Sequence, residues 1–318
     1  MRSSINFILP CLLLAAIAVV SLSWGPYPAL KGWAEGDPWA ISVLLDLRLP
    51  RLLTALFAGA LLALSGAVFQ SILSNPLGDP YVLGVSGGAA SGAVLALLIG
   101  IGRGGPWVAV LAFAGACATA AAVYGLASRD GEPDPVRLVL AGVILNALHT
   151  AFILFALSLL GAIETGAFVR WMMGSVAGQT LGGSLLLGAA LALLGVPVLL
   201  LHRGFDLVAQ GREEASALGL STRPFLFFAF AAASALAAVT VAATGIIGFV
   251  GLVAPNLVRV AWGGRHRTLL PLAMLWGAVF LAGADLLTRL PRLSEVPIGA
   301  VAALIGVPYF LYLLRRWR

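Results

Sequence analysis

Charged residues are rare along this chain and divide it into long uncharged stretches. Nine stretches of at least 17 residues contain no Asp, Glu, Lys or Arg. They are residues 3–30, 52–78, 80–102, 104–128, 138–163, 171–202, 224–258, 268–284 and 296–314. A helix needs about 20 residues to cross a hydrocarbon core of roughly 30 Å. Each stretch therefore predicts at least one membrane-spanning helix.

The stretch from Pro224 to Val258 is too long for one straight span. As a single helix, its 35 residues would measure about 52 Å. Thr244-Gly245 offers a break, because glycine adopts backbone conformations that end a helix. Dividing the stretch there gives ten spans in all, and an even number places both chain termini on the same side of the membrane.

The distribution of basic residues predicts which side that is. Loops that stay in the cytoplasm carry the excess of Lys and Arg. With both termini inside, twelve of the 19 basic residues fall in inner loops or at the termini. The sequence therefore predicts an N-in, C-in topology, and membrane orientation explains the net charge of +6 better than nucleic-acid binding does.

Composition supports an integral membrane protein. Hydrophobic residues make up 61% of the chain and charged residues 10%, with a mean hydropathy of +1.03. Too few polar side chains remain to cover a water-soluble globule. Residues 1–318 are expected to form one all-α, polytopic domain. Its longest inner loop, residues 202–223, is the expected docking surface for a partner.

The sequence contains no recognisable pattern for catalysis or metal binding. His149, His202 and His266 are isolated along the chain, and both cysteines fall inside predicted spans. A P-loop needs a lysine in Gly-x-x-x-x-Gly-Lys-[Ser/Thr], whereas the only lysine, Lys31, lies in Leu-Lys-Gly-Trp. We therefore expect no catalytic residue, metal site or cofactor in this chain. Any ATP that drives it must be bound with Mg and hydrolysed by another polypeptide.

Two parts of the sequence together resemble a known family of transporters. The first part contains Arg48-Leu-Pro-Arg51, Ser65-Gly66, Gln70 and Asn75-Pro76-Leu77, and the second contains Gly245-Ile-Ile-Gly-Phe-Val-Gly-Leu-Val-Ala-Pro255, Ala282-Gly-Ala-Asp285 and Glu295-Val-Pro-Ile-Gly299. These motifs resemble the FecCD-type permease subunits of bacterial ABC importers for ferric siderophores, haem and cobalamin. The resemblance extends from Arg48 to Leu314. Gly78 departs from it, because the family usually has alanine there.

The inner loop carries part of the family's coupling motif. The segment from Glu213 to Gly219 reads Glu-Glu-Ala-Ser-Ala-Leu-Gly and resembles Glu-Ala-Ala-x-x-x-Gly. The resemblance implies that two ATPase subunits dock on this segment. Its contact residues would be Glu213, Glu214, Ala215, Leu218 and Gly219. The alternative is an ordinary solvated acidic turn.

Arginines near the outer face match family positions that receive a substrate-binding protein. The resemblance assigns this role to Arg48, Arg51 and Arg292, with a periplasmic or lipid-anchored binding protein as the partner. Arginine suits the role because its fork binds carboxylates bidentately. Contact with lipid headgroups is the alternative.

Asp285 lies four residues before Arg289, which predicts an ion pair on one helix face.

The resemblance also implies a second permease copy, with the route for cargo between the two copies. The fifth and tenth spans would line this route. Asn146 and His149 share one helical face of the fifth span, and Thr150 lies beside them. These three residues are the candidate pathway residues. Hydrogen bonds between helices explain them equally well.

The function that these observations favour is the transmembrane subunit of a binding-protein-dependent ABC importer in the bacterial cytoplasmic membrane. Its expected cargo is a ferric siderophore first, then cobalamin or haem. An ion-coupled secondary transporter is the main alternative, although no carboxylate is predicted at mid-depth. Ser65-Gly66 with Asn75-Pro76, and Thr244-Gly245 with Pro255-Asn256, are also compatible with an inverted repeat.

Overall fold

The computed structural model describes residues 2–25, 27–101, 106–129, 132–290 and 296–316. Helices dominate the described chain. In order they are α1 (Arg2–Ser23), α2 (Ala29–Ala34), α3 (Pro38–Ser42), α4 (Leu49–Ile72), α5 (Val85–Leu98), α6 (Trp107–Ala127), α7 (Pro135–Leu159), α8 (Ala162–Met172), α9 (Leu181–Ala190), α10 (Val196–Leu200), α11 (His202–Val208), α12 (Arg212–Ala217), α13 (Thr222–Thr244), α14 (Val250–Trp262), α15 (His266–Thr288) and α16 (Ile298–Arg316). Two π-helical stretches, Val43–Arg48 and Leu191–Gly195, join α3 to α4 and α9 to α10. A small antiparallel pair, β1 (Ser128–Arg129) and β2 (Glu132–Pro133), lies between α6 and α7.

The described helices confirm the predicted all-α, polytopic class. Seven segments are long and apolar enough to cross a membrane, and three shorter apolar helices accompany them. The seven are Asn6–Ser23, Pro38–Ile72, Trp107–Ala127, Pro135–Leu159, Leu181–Leu200, Thr222–Thr244 and His266–Thr288; the shorter three are Val85–Leu98, Val250–Trp262 and Ile298–Tyr312. Together these segments match the ten predicted spans, while the N-in, C-in orientation stays a prediction from the basic residues.

Helix α4 forms the centre of the molecule. Every residue from Ala58 to Ile72 is buried. Small residues allow this burial, because a Cβ on Gly59 would lie 2.3 Å from the carbonyl oxygen of Gly277, and one on Gly66 would lie 2.1 Å from that of Gly251. Helices α14 and α15 therefore pack directly on the backbone of α4, as small residues permit in membrane proteins.

The predicted break at Thr244-Gly245 is confirmed. Helix α13 ends at Thr244, and Gly245 has a φ of +70°. Helix α14 begins at Val250, after Phe249 in a left-handed conformation. A second irregular segment, residues 73–84, connects α4 to α5. The two regions that carry the family motifs contact each other between α4 and α14. The Gln70 amide of the first region donates to the Gly251 carbonyl of the second at 3.1 Å.

Helix α7 contrasts with α4 in its exposure. Pro135 follows the N-cap Asp134, whose side chain accepts a hydrogen bond from the Arg137 amide. Only four of the helix's 25 residues are buried, namely Leu138, Ala141, Gly142 and Ala156. Its exposed apolar residues, which include Val136, Ile144 and Phe155, present a broad surface to lipid or to another protein.

Candidate functional site

Helix α12 and the two residues after it contain the predicted coupling residues at one end of the molecule, which we call the inner end. Glu213, Glu214, Leu218 and Gly219 are exposed, and Leu218 retains 65% of its accessible surface. Ala215 is fully buried and anchors the helix. The predicted segment therefore presents two carboxylates and one apolar side chain to the surroundings.

The coupling segment ends in a glycine-dependent turn. Gly219 has a φ of +90°, and its amide donates to the Ser216 carbonyl at 2.9 Å. The Leu220 amide donates to the Ala215 carbonyl at 3.0 Å. These two hydrogen bonds end the helix and place Gly219 in the left-handed conformation. Glycine adopts this conformation without steric cost. A Cβ on Gly219 would meet no described atom within 4 Å.

The base of α12 is fixed to the body of the protein. Arg212 donates hydrogen bonds to the carbonyl of Pro133 and, at 3.4 Å, to that of Ile72 at the end of α4. Beside it, the Thr222 hydroxyl donates to Glu132 at 2.7 Å. The exposed helix is thus connected directly to the most buried helix of the molecule.

A second connection at the inner end was not foreseen from the sequence. Asp206 in α11 accepts hydrogen bonds from the backbone amide of His266 and from its Nδ1 atom, both at 2.8 Å. The Nε2 atom of His266 lies 2.7 Å from the Ser71 hydroxyl in α4. His266 looked isolated because its partners lie 60 and 195 residues away in the chain. The contacts join the inner loop to α4 and α15.

Two arginines bind Asp285 at the opposite end, which we call the outer end, and Arg48 borders the same cavity. Arg289 donates to Asp285 Oδ2 at 2.6 Å, which confirms the predicted ion pair. Arg51 binds Asp285 Oδ1 at 2.8 Å and the Thr288 hydroxyl at 3.1 Å. Asp285 is only 2% exposed. Arg48 is 8% exposed and donates to the carbonyls of Leu22 and Tyr27.

These arginines border an open cavity of about 750 Å³ at the outer end. Its walls include Arg48, Arg51 and Arg289, together with the aromatic rings of Trp24 and Trp39. Arg51 is the more accessible of the two described docking candidates, with 28% of its side chain exposed. Arg292, the third candidate, lies outside the described residues.

The polar residues of α7 are divided between the interior and the exposed face. The Asn146 amide donates to the Tyr81 carbonyl at 3.0 Å. His149 lies 2.9 Å from the Ser91 hydroxyl and 2.8 Å from the Thr119 hydroxyl. Thr150 is exposed and donates to the Asn146 carbonyl of its own helix. Asn146 and His149 thus hold α7 against the rest of the chain, and Thr150 faces outward.

Comparisons with known proteins agree with this architecture. The FecCD transport family model matches residues 8–316. The cobalamin import system permease protein of Halobacterium salinarum is 38% identical over 94% of this chain and 82% of its own length. The Fe(3+) dicitrate transport system permease protein of Escherichia coli is 38% identical over 96% of this chain and 97% of its own length.

A solved structure supports the same relationship. An ABC transporter described as metal-chelate type, in an inward-facing conformation, has a TM-score of 0.89 and 34% identity, and the match covers 98% of this chain and 99% of that chain. Similarity therefore extends over the whole membrane domain rather than over single motifs. The chain belongs to the FecCD transport family and is a permease subunit of an ABC importer.

Proposed function

We propose that this chain moves a metal chelate across the bacterial cytoplasmic membrane, with a ferric siderophore as first candidate and cobalamin or haem next. A separate ATPase would supply the energy, and a binding protein would deliver the cargo. Relatives named for cobalamin and for iron(III) dicitrate are equally similar to this chain. The binding protein, rather than the permease, is therefore expected to select the cargo.

The observation that carries the proposal is the exposed, firmly based helix α12. A helix that transmits force must present a free surface and have a rigid connection to the moving part. Glu213, Glu214 and Leu218 provide the surface. Arg212 and Ala215 provide the connection, because one binds the end of α4 and the other is buried. Movement of a docked ATPase would therefore reach the central helix.

The transport cycle would be a shift between packed states of this bundle. Two ATPase copies would close on ATP and displace the α12 helices of two permease copies. The route between the copies would then open alternately to the outside and to the inside. Asp206, His266 and Ser71 give the inner loop a second connection to α4 and α15 through which such a displacement could pass.

The outer arginine cluster is the proposed docking site for the binding protein. Carboxylates of that protein would approach Arg51 from the cavity and compete with Asp285 for its guanidinium group. Arg48 would contribute chiefly its positive charge, because backbone carbonyls occupy both of its terminal nitrogens. Arg292 remains part of this proposal through the family motif.

The route for cargo is proposed to follow the exposed face of α7, where a second copy of the chain would cover it. Thr150 is an exposed polar residue of that face. Asn146 and His149 would border the route while fixing α7 to its own subunit. A homodimer supplies two such faces around one central passage.

Uptake by a Gly219→Val variant tests the coupling role. A β-branched residue opposes the left-handed conformation at this position, so coupled uptake should be abolished while membrane insertion persists. Gly100→Val is the matched control, because Gly100 also ends a helix with a positive φ, of +79°, and an open Cβ position, but it lies between α5 and α6. Normal uptake by the Gly219 variant, or equal loss in both variants, would remove the coupling role from α12.

A further inference from the structure

The walls of the outer cavity come from the ends of four helices that belong to membrane spans. Trp24 follows the end of α1, Arg48 precedes the start of α4, Thr180 precedes α9 and Arg289 follows α15. All four residues border the same cavity of about 750 Å³. The cavity therefore lies where these helices leave the hydrocarbon core, at the depth of the lipid headgroups.

The side chains around the cavity suit a membrane boundary. Trp24 and Trp39 border it and are both exposed. Tryptophan is enriched at this depth, because its ring is apolar while its N–H group needs a polar partner. Val19 of α1 and Leu47, which also borders the cavity, are exposed apolar residues. The acyl chains of a lipid whose headgroup entered the cavity would lie against such residues.

The described walls of the cavity carry more positive than negative charge. Arg48, Arg51 and Arg289 border the cavity, and Asp46 is the one acidic residue among its described lining residues. Asp285 lies behind two of the arginines and binds both of them. Two carboxylates thus offset two of the three guanidinium charges, and one positive charge remains.

Arg48 is the arginine without a carboxylate partner. Among the described residues, its guanidinium donates only to the carbonyls of Leu22 and Tyr27. These bonds leave some of its five N–H groups free. The residue is only 8% exposed, and a buried charge without a counter-ion is costly. An anion in the cavity would offset this charge and accept the remaining hydrogen bonds.

The chain also places Arg48 close to other positive charges. A Cβ on Gly25 would lie 2.6 Å from Arg48 Nη2, so glycine at this position leaves room for the guanidinium. Burial lowers the pKa of Arg289; Asp285 opposes this effect, and the charges of Arg51 and Arg48 add to it. The three arginines therefore repel one another, and an anion between them would reduce this repulsion.

We infer that this cavity binds the phosphate group of a phospholipid from the leaflet at the outer end, with Arg48 as its main partner. A phosphodiester carries a single negative charge, which equals the charge left on the described walls. Arginine suits phosphate, because its planar fork donates parallel hydrogen bonds to two oxygens. Basic pockets between membrane helices bind lipid headgroups in the same way. The binding protein would approach the same cavity, so lipid and binding protein would compete for it.

Lipid-dependent stability of the purified full-length chain in detergent tests this site. No binding protein or ATPase is present, so the result does not depend on the proposed transport function. Thermal unfolding is measured with phosphatidylglycerol, with digalactosyldiacylglycerol, which has acyl chains but no phosphate, and with inorganic phosphate at equal ionic strength. We expect only phosphatidylglycerol to raise the unfolding midpoint in a saturable way. An equal rise with inorganic phosphate or with the galactolipid would overturn the assignment to a phospholipid.

Filling the cavity shows whether the lipid acts there. Ala177 is exposed and borders the cavity, so Ala177→Trp should remove most of the rise caused by phosphatidylglycerol. Ala209→Trp is the matched control, because Ala209 is exposed at the end of α11, and it should keep the rise. Equal rises in the two variants would overturn the site.

Native mass spectrometry of the wild-type chain gives an answer even if the Ala177 variant does not fold. The chain is purified in an equimolar mixture of phosphatidylglycerol and digalactosyldiacylglycerol. We expect a single phosphatidylglycerol molecule to remain bound after the detergent is removed. Loss of both lipids, or equal retention of the two, would contradict a phosphate-binding cavity.

Discussion

The inner coupling segment and the outer arginine cluster are both proposed docking sites, yet their side chains are in opposite states. Glu213, Glu214 and Leu218 are exposed on α12 and at its end. At the outer end, Arg51 is bound to Asp285 and Thr288, and Arg48 is bound to backbone carbonyls. The side chains of the coupling segment are therefore accessible to a partner, whereas the arginines of the outer cluster are already bound to groups of their own chain.

This difference suits two kinds of partner. A subunit that stays attached throughout the cycle needs a surface that is always free, and the exposed residues of α12 offer one. A binding protein that must arrive and leave benefits from competition, because each contact it makes with Arg51 replaces an internal one. The internal contacts lower its net affinity and favour release.

Removing the buried carboxylate should have the largest effect on the outer end. Asp285→Asn leaves Arg51 and Arg289 without their shared anion. Breaking a buried ion pair in this way costs about 3 to 5 kcal/mol, measurable as a lower unfolding midpoint in detergent. Asp46→Asn, at an exposed residue that borders the same cavity, should change the midpoint little. Equal effects in both variants would contradict the internal network.

Releasing α12 from its base should have the next largest effect. Arg212→Ala removes the hydrogen bonds to Pro133 and Ile72, and one such charged hydrogen bond contributes about 1.5 to 3 kcal/mol. We expect coupled uptake to fall about tenfold, which corresponds to about 1.4 kcal/mol, while ATP hydrolysis by the complex continues.

Arg223→Ala serves as the control for the base of α12. Its side chain is 63% exposed and lies 3.9 Å from Glu132. Uptake by this variant should stay within about twofold of the wild-type value, since exposed ion pairs contribute little. If both arginine variants retain full uptake, the rigid connection through Arg212 has no role in coupling.

The two described outer arginines should differ in binding-protein affinity by a smaller factor. Arg51→Ala removes the more accessible guanidinium and should weaken docking about fivefold, or roughly 1 kcal/mol. Arg48→Ala should weaken docking less and reduce stability more, because Arg48 is 8% exposed and holds two carbonyls. Surface plasmon resonance and thermal unfolding measure the two effects, and the reverse order would contradict the assigned roles.

An exposed pair at the outer end should give the smallest effect. Lys31 and Glu35 lie 3.9 Å apart, with side chains 77% and 64% exposed. Lys31→Ala should change the free energy of unfolding by less than about 0.5 kcal/mol. A loss comparable to that of Asp285→Asn would mean that burial does not distinguish the outer ion pairs.

Local sequence features predicted much of this structure. Uncharged stretches predicted the spans, and Gly245 predicted the break after Thr244. Both features are determined by residues that are adjacent in the sequence, so they can be recognised without knowing the fold. The Asp285–Arg289 pair followed from helical spacing for the same reason. The family motif indicated where the coupling segment lies in the sequence. Only the structure shows that this segment forms α12 and that its carboxylates are exposed.

Contacts between distant parts of the chain could not be predicted in this way. Arg51 reaches Asp285 across 234 residues, and His266 reaches Ser71 across 195. Buried contacts between α4 and α14, such as that from the Gln70 amide to the Gly251 carbonyl, have no signature in the local sequence either. Such groups come together only through the close packing of α4 against α14 and α15.

Crosslinking at α12 tests most directly the claim that this exposed helix receives the ATPase. Ser216→Cys and Ser42→Cys are introduced separately into a chain whose Cys11 and Cys117 are replaced by alanine; both serines are exposed, one in α12 and one at the outer end. In native membranes, we expect only the Ser216 variant to crosslink to a P-loop ATPase. Recovery of a permease oligomer with no ATPase at this position would contradict the account.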